Sequence, residues 1–431
     1  MEWLDIAVLG ASFFALLALG VPVAYSLGLS TAAALLLSVP ANPALGTVAQ
    51  RMATGLDSFT LLAIPFFILA GQIMNKGGIA RRLIALARGL LGTLPGGLAH
   101  VNILASMLFG AISGSAAAAA SAIGGVMTPS MDEEGYDRPF AAAVNITSST
   151  TGLVIPPSNV LIVYSLASGG ASIAALFLAG YVPGVLVGLL LMVTAGVTAF
   201  RRGYPTSART PFGVLIRLFA SAVPSLFLLV VVMGGIIGGV FTATEAAAVA
   251  VLYALVLAFL YREITVRDLP QILLDSAATT AVVMLLIATS IGLSWVLSYE
   301  SVPQMATEAI IGLTDNKILI LLLINVVLLV VGTFMDMTPA ILIFTPLFLP
   351  IAVGLGIDPI QFGIIMVLNL CIGLCTPPVG GVLFIGVGVA ETTIAKVVRP
   401  LMPFFVAMIV SLLLVSYIPA LSLWLPRLFG Y

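Results

Sequence analysis

Charge is what this chain has least of: 8% of its 431 residues are Asp, Glu, Lys or Arg, where soluble domains carry roughly 25%. An ordinary soluble fold is thereby excluded. Its 16 basic and 17 acidic residues leave a formal net charge of −1. No basic stripe is present to neutralise a phosphate backbone, so no nucleic-acid partner is expected. A single histidine, His100, and two cysteines, Cys371 and Cys375, are too few for a His/Cys metal centre, a haem pair or an iron–sulfur cluster. The cysteines stand four apart, on one face of a helix, and read as small packing surface. The acidic opening Met1-Glu-Trp-Leu-Asp5 lacks the basic region of a cleavable signal peptide, so the first apolar run reads as a permanent span. One histidine and few intramembrane acids give no acid/base constellation, and the chain is expected not to be an enzyme. A passive channel is disfavoured by the absence of a polar lining.

Hydrophobic residues make up 61% of the chain, and mean hydropathy is +1.24. Runs such as 321–331 point to membrane spans of about 20 residues each. The expected fold is an all-α polytopic membrane protein with ten spans: 4–19, 21–39, 59–75, 139–165, 172–200, 218–240, 243–261, 272–297, 359–385 and 396–425. Two further stretches, 97–130 and 317–351, hold two short apolar arms around a polar or small-residue middle. They read as re-entrant hairpins, whose non-helical backbone is tolerated only beside protein or a water-lined cavity. With the N-terminus outside, this count places every Lys and Arg except Arg51, Lys317 and Arg427 on the inner side, as cytoplasmic loops require. Both termini are then expected to be periplasmic.

The chain also repeats itself. At a constant offset of 221, Pro129, Gly135, Asp137, Gly152, Leu153, Pro156, Pro157, Ile173 and Ala174 match Pro350, Gly356, Asp358, Gly373, Leu374, Pro377, Pro378, Ile394 and Ala395. Residues 1–217 and 218–431 therefore read as two repeats, each of five spans and one hairpin. An odd number of spans inverts the second repeat in the bilayer. Inverted repeats, hairpins and interrupted helices mark secondary transporters, whose substrate sites lie near the midplane at the repeat interface.

Two motifs should break their helices: Thr151-Gly-Leu-Val-Ile-Pro-Pro-Ser-Asn159 and Ile372-Gly-Leu-Cys-Thr-Pro-Pro-Val-Gly380. A proline lacks the N–H that would bond the carbonyl four residues earlier, which is expected to free the carbonyls of Gly152, Leu153, Gly373 and Leu374. Beside the hydroxyls of Ser158 and Thr376 these make oxygen-rich pockets suited to a hard monovalent cation, and half-helix N-termini suit an anion. Two symmetric Na⁺ sites follow as an expectation; a simple proline kink is the alternative. The hairpin middles, Gly110-Ala-Ile-Ser-Gly-Ser115 and Gly332-Thr-Phe-Met-Asp-Met-Thr-Pro339, add the oxygens of Ser113, Ser115, Asp336 and Thr338. Asp336 is the sharpest residue, since a mid-membrane carboxylate costs about 3 kcal/mol on insertion scales; a plain helix N-cap is its alternative. Substrate contacts are expected from Asp336, Thr338, Ser115 and Ser158. Glu245, after Thr242 or Thr244, reads as a helix-capping acid, and 79–91 as an amphipathic interfacial arm. Asn145-Ile-Thr147 matches a glycosylation sequon only by coincidence, because it lies within a span.

The paired Pro-Pro breaks, Gly135-Tyr-Asp137, Phe241-Thr-Ala-Thr-Glu245 and Leu421-Ser-Leu-Trp-Leu-Pro426 resemble the large membrane subunit of tripartite ATP-independent periplasmic (TRAP) transporters, over essentially the whole chain. The resemblance implies an elevator-type, Na⁺-coupled importer of small organic anions in a bacterial inner membrane. Its partners would be a small membrane subunit, as a separate chain, and a periplasmic substrate-binding protein, with membrane lipid around it. It implies one Na⁺ site at Ser113, Gly152, Ile155 and Pro157, a second at Gly373, Thr376 and Pro378, and no organic cofactor. Carboxylates such as C4-dicarboxylates, sugar acids or keto acids are the implied cargo. Ala243 departs from the proline common in the family before the Thr-Glu pair, away from these sites. A stand-alone carrier or antiporter of the same wider architecture is the alternative.

Overall fold

The computed structural model describes residues 2–206, 210–314, 316–377 and 379–431. All regular structure among them is helical. Among the described residues, eight helices could cross a membrane by length and composition, and a bent pair makes a ninth. Their outward faces are apolar: on Phe212–Ile237, Phe219 is 54% exposed and Val230 62%, a surface stable in lipid and costly in water.

The first hairpin runs through Gly97–Ser113 and Ala116–Glu133. Its first arm stops because Gly114 takes a left-handed conformation (φ +60) and returns its N–H to the Gly110 carbonyl at 2.7 Å, the conformation glycine adopts without a Cβ penalty. Ser115 then caps the second arm, accepting the Ala118 N–H at 3.2 Å, and a run of alanines carries that helix forward. The second hairpin, Lys317–Phe334 and Met337–Gly354, turns instead through extended residues at Met335 and Asp336. Its arms are 18 residues each, longer than the short arms expected, so length alone does not separate this hairpin from two crossings.

The first broken helix comprises Arg138–Val154 and Asn159–Ala167, bent by 51°; its counterpart comprises Pro359–Leu374 and Gly381–Val389. Helices that begin at Ala116, Arg138 and Ile173 have counterparts beginning at Met337, Pro359 and Ile394, at the offset seen in the sequence. The two broken helices cross closely. Tyr164, fully buried, donates its hydroxyl to the Pro359 carbonyl at 2.6 Å, and a Cβ at Gly363 would fall on the Tyr164 ring. Both cysteines pack at this crossing, with Cys371 Sγ 3.5 Å from the Thr150 carbonyl and Cys375 Sγ 3.5 Å from that of Ile146. Buried polar clusters pin each hairpin to its broken helix: Ser148 Oγ donates to Ser106 Oγ at 3.1 Å, and Asn369 Nδ2 to Asn325 Oδ1 at 2.9 Å.

One span and one connection need amendment. The run 396–425 divides into Ile394–Tyr417 and Ala420–Leu428, broken where Pro419 lacks the N–H a continuous helix needs. Residues 40–58, read as a connection, contain the helix Ala41–Leu56; Pro43 is tolerated in its first turn, where its missing N–H would have had no partner. Glu245 closes a capping box with Thr242, accepting the Thr242 N–H at 2.8 Å. The arm Ile79–Leu91 buries Ile79, Leu83 and Leu86 and exposes Arg81. Asn145 is buried and donates to the Ala120 carbonyl at 2.9 Å, inaccessible to modification.

The ion pairs gather where the basic residues do. Arg138 holds Asp132 at 2.9 Å and Glu391 at 3.3 Å, Arg202 holds Asp137 at 2.8 Å, and Arg88 holds Glu134. Exposed pairs of this kind add little to stability, because water screens them.

Candidate functional site

Both hairpin tips and both helix breaks converge on one cavity of about 310 Å³. Ser115 and Gly114 come from the first tip, Asp336 and Thr338 from the second, and Leu153 and Leu374 stand at the two breaks. Ile64 and Thr279 close it from the flanking helices Ala63–Lys76 and Leu269–Tyr299. A second recess of about 330 Å³ shares Ser115, Asn159 and Thr279 with it and adds Gln72, Asn75, Ser113 and Ser121. The space is mainly apolar at the breaks and polar along the first hairpin.

Glycine sets how closely these parts approach. Gly110 on the first hairpin meets Gly152 at the first break, and a Cβ at Gly152 would lie 3.0 Å from the Gly110 carbonyl oxygen, with Gly110 Cα nearer still. Gly332 and Gly373 repeat the contact in the second half, where a Cβ at Gly373 would lie 2.6 Å from Gly332 Cα. A Cβ at Gly71 would lie 3.0 Å from the Ser113 carbonyl oxygen, so the first tip ends against the middle of a flanking helix.

Asp336 occupies the N-cap position of Met337–Gly354 but makes no capping hydrogen bond. The neighbouring Met337 N–H approaches its carboxylate, which is accessible from the cavity, and no ion pair to it occurs among the described residues. Thr338 lies one helical position further along the same wall. Ser115 faces both spaces while accepting its capping bond. Ser158, expected at the substrate, is fully buried and donates to the Leu153 carbonyl at 2.6 Å; it is not among the lining residues.

Of the first cation set, Ser113 is 3% exposed with a hydroxyl that has no hydrogen-bond partner among the described residues. The Gly152 carbonyl likewise accepts no backbone hydrogen bond among the described residues, since Pro156 has no N–H to give. Ile155 is extended (ψ 121) and ends the helix. A Cβ at Gly114 would lie 3.4 Å from the Pro157 carbonyl oxygen, which places that oxygen at the tip. Not every expected carbonyl is freed. Leu153 is taken by Ser158, and Gly373 accepts the Thr376 N–H at 2.9 Å through a tighter turn; each retains a second lone pair. Thr376 donates its hydroxyl to the Ile372 carbonyl at 2.7 Å, leaving its oxygen lone pairs. Pro378, expected in the second set, lies outside the described residues. No cluster of three or more His, Cys, Asp or Glu suited to a metal occurs among the described residues, so a cation here would be held by carbonyl and hydroxyl oxygens.

Asn159 and Thr279 line both spaces, and sequence reasoning did not select either. Asn159 carries a signal, directly following Pro156-Pro157-Ser158, and its Oδ1 has no hydrogen-bond partner among the described residues. Thr279, in a long apolar run, carries none.

A family model described as the tripartite ATP-independent periplasmic transporter, DctM component, matches residues 11–421. The chain is 56% identical over 425 residues to the uncharacterized protein YgiK of Salmonella typhimurium, covering 99% of this chain and 98% of that one. It is 38% identical to the C4-dicarboxylate TRAP transporter large permease protein DctM of Rhodobacter capsulatus, with 96% and 97% covered. It is 39% identical to the sialic acid TRAP transporter large permease protein SiaM of Vibrio cholerae, again with 96% and 97% covered. Among solved structures, the YdaH transporter of Alcanivorax borkumensis superposes with a TM-score of 0.63 at 15% identity, over 89% of this chain and 88% of that one, a likeness of fold.

Proposed function

The chain belongs to the tripartite ATP-independent periplasmic transporter family as its large permease subunit, and we propose that it performs Na⁺-coupled import of small organic anions. It is a multi-pass membrane protein of a bacterial transporter and not an enzyme. The observation that carries the proposal is the cavity framed by both hairpin tips and both breaks, with the carboxylate of Asp336 on one wall and the unpartnered Ser113 hydroxyl beside it.

The repeats 1–217 and 218–431 run oppositely through the inner membrane, with both termini periplasmic and the arginine-rich end cytoplasmic. The cavity then sits at the repeat interface near the midplane, where inverted-repeat carriers bind. Ser113 with the carbonyls of Gly152, Ile155 and Pro157 would hold one Na⁺. Gly373 and Thr376, with Pro378, would hold a second. These are hard oxygen donors, and the Gly152 carbonyl and Ser113 hydroxyl, without hydrogen-bond partners among the described residues, have lone pairs free to take a cation. Bound Na⁺ supplies positive charge. A carboxylate cargo entering beside Asp336 meets like charge in a medium of low dielectric, where repulsion is several-fold stronger than in water; a cation taken up with it offsets that cost. This is the physical reason for coupling.

Relatives named for C4-dicarboxylate and for sialic acid both point to acids, so carboxylates are the cargo proposed. The hairpins and broken helices would move together against the flanking helices in an elevator cycle. A small membrane subunit and a periplasmic binding protein would complete the assembly. The test is uptake of a labelled carboxylate panel by proteoliposomes holding this chain with its small partner, with and without the binding protein, and with Na⁺ replaced by K⁺. Uptake that needs both Na⁺ and the binding protein supports the proposal and identifies the cargo. Uptake with Na⁺ alone indicates a stand-alone carrier, and uptake indifferent to Na⁺ overturns the coupling.

A further inference from the structure

At the end of the bundle where the arginines collect, the helices Ile173–Arg202 and Ile394–Tyr417 pack side by side and leave two adjoining recesses. The first, about 420 Å³, is lined by Arg202, Lys396 and Arg399, with Asp137 as its acid. That acid is already engaged, since Asp137 accepts from Arg202 at 2.8 Å and from the Tyr204 hydroxyl at 2.7 Å. Lys396 and Arg399, and Arg201 in the adjoining recess, make no ion pair among the described residues, so the two recesses together carry uncompensated positive charge. It also lies by the start of Ile394–Tyr417, whose N-cap Thr393 makes no side-chain capping bond; the equivalent Ser172 in the first half does cap, accepting the Ala175 N–H at 3.3 Å.

The second recess, about 480 Å³, continues from Arg201 and Arg202 down the lipid-facing seam between the same helices. Its walls are apolar, with Val193, Val197, Pro403 and Val406 exposed. The two threonines it contains present no free donor: Thr194 and Thr198 each give their hydroxyl to a carbonyl one turn back at 2.8 Å. A cationic recess that opens into an apolar seam is complementary to one amphiphile.

We propose that this seam binds an anionic phospholipid, its phosphate held by Arg202, Lys396 and Arg399 and an acyl chain laid along Val193, Val197 and Val406. Arginine forks hold phosphate oxygens in pairs, and basic pockets between membrane helices are suited to anionic headgroups. A soluble phosphate has no use for the apolar seam.

The test uses the full chain, purified in neutral detergent and titrated with phosphatidylglycerol, with phosphatidylcholine of the same acyl chains, and with glycerol 3-phosphate; bound lipid is counted by native mass spectrometry. Phosphatidylglycerol is expected to bind at least about tenfold more tightly than phosphatidylcholine, with glycerol 3-phosphate failing to displace it. In Lys396→Gln/Arg399→Gln the two lipids should bind alike, whereas Lys396→Arg/Arg399→Lys and the distant Arg81→Gln should keep the preference. The charge-preserving pair also guards against misfolding, read alongside monodisperse elution. Equal binding of both lipids by the parent chain, or a preference that survives the double Gln variant, overturns the proposal. Displacement by glycerol 3-phosphate alone would make this a soluble-anion site and overturn it equally.

Discussion

The two halves share a frame and differ at their tips. In both, a hairpin glycine meets a break glycine backbone to backbone, Gly110 with Gly152 and Gly332 with Gly373, and a buried polar contact pins the first arm to the broken helix. At the tips the halves part. The first turns on left-handed Gly114 and caps with Ser115; the second turns on extended Met335 and places at the equivalent position Asp336, which caps nothing. The breaks also close differently, through the Ser158 side chain in one and the Thr376 backbone in the other. The shared features fix where the cavity lies; the differing ones place a carboxylate on one wall only.

The shared frame is the most sensitive to change. Gly152→Val and Gly373→Val should each abolish uptake and lower the thermal unfolding midpoint, since overpacking of this kind costs about 1–3 kcal/mol or more; a variant as stable and active as the parent would show that the close approach is dispensable. Making the tips alike is the next test. Asp336→Ser gives the second tip the residue of the first, and Asp336→Asn removes only the charge; both should reduce Na⁺-dependent uptake by about tenfold or more while leaving the protein inserted and monodisperse. Uptake unchanged in both would remove the carboxylate from the mechanism. Smaller, and comparing the two proposed ion sites, Ser113→Ala and Thr376→Val should each raise the Na⁺ concentration for half-maximal uptake several-fold, in line with about 1 kcal/mol per lost oxygen contact. Equal Na⁺ response in parent and variants would break the parallel. Smallest, Thr242→Ala removes the capping box on Ala243–Leu260 and should cost about 1 kcal/mol of stability with the Na⁺ response untouched, as calorimetry and uptake together would show.

Much of this was legible in the sequence because the informative residues act locally. Pro156 and Pro377, each opening a Pro-Pro pair, fall at the two breaks, whereas the single Pro183 sits inside the continuous helix Ile173–Arg202, and the offset of 221 reproduces the helix starts at Met337, Pro359 and Ile394. Thr242 and Glu245 announce their capping box by spacing alone. The features that escaped depend on partners distant in the chain or on competition within a turn. Ser158 is expected at the substrate, but its hydroxyl has two outlets, the cavity and the Leu153 carbonyl, and the nearer one prevails. Thr279 reaches the cavity only through the packing of Leu269–Tyr299. The helix Ala41–Leu56 lacks an apolar run, with Pro43, Gln50 and Arg51 in place of one, and so gave no span signal.

The crossing of the two broken helices has a kinematic consequence. Tyr164 is bonded to the Pro359 carbonyl, its ring lies where a side chain on Gly363 would stand, and the cysteine thiols sit against the carbonyls of Thr150 and Ile146. With backbone this close and polar contacts made across it, neither helix can slide or tilt alone without opening a void or stranding a buried hydroxyl. A displacement of either broken helix by itself would therefore have to give up these contacts with the other, which ties the two breaks together at the crossing.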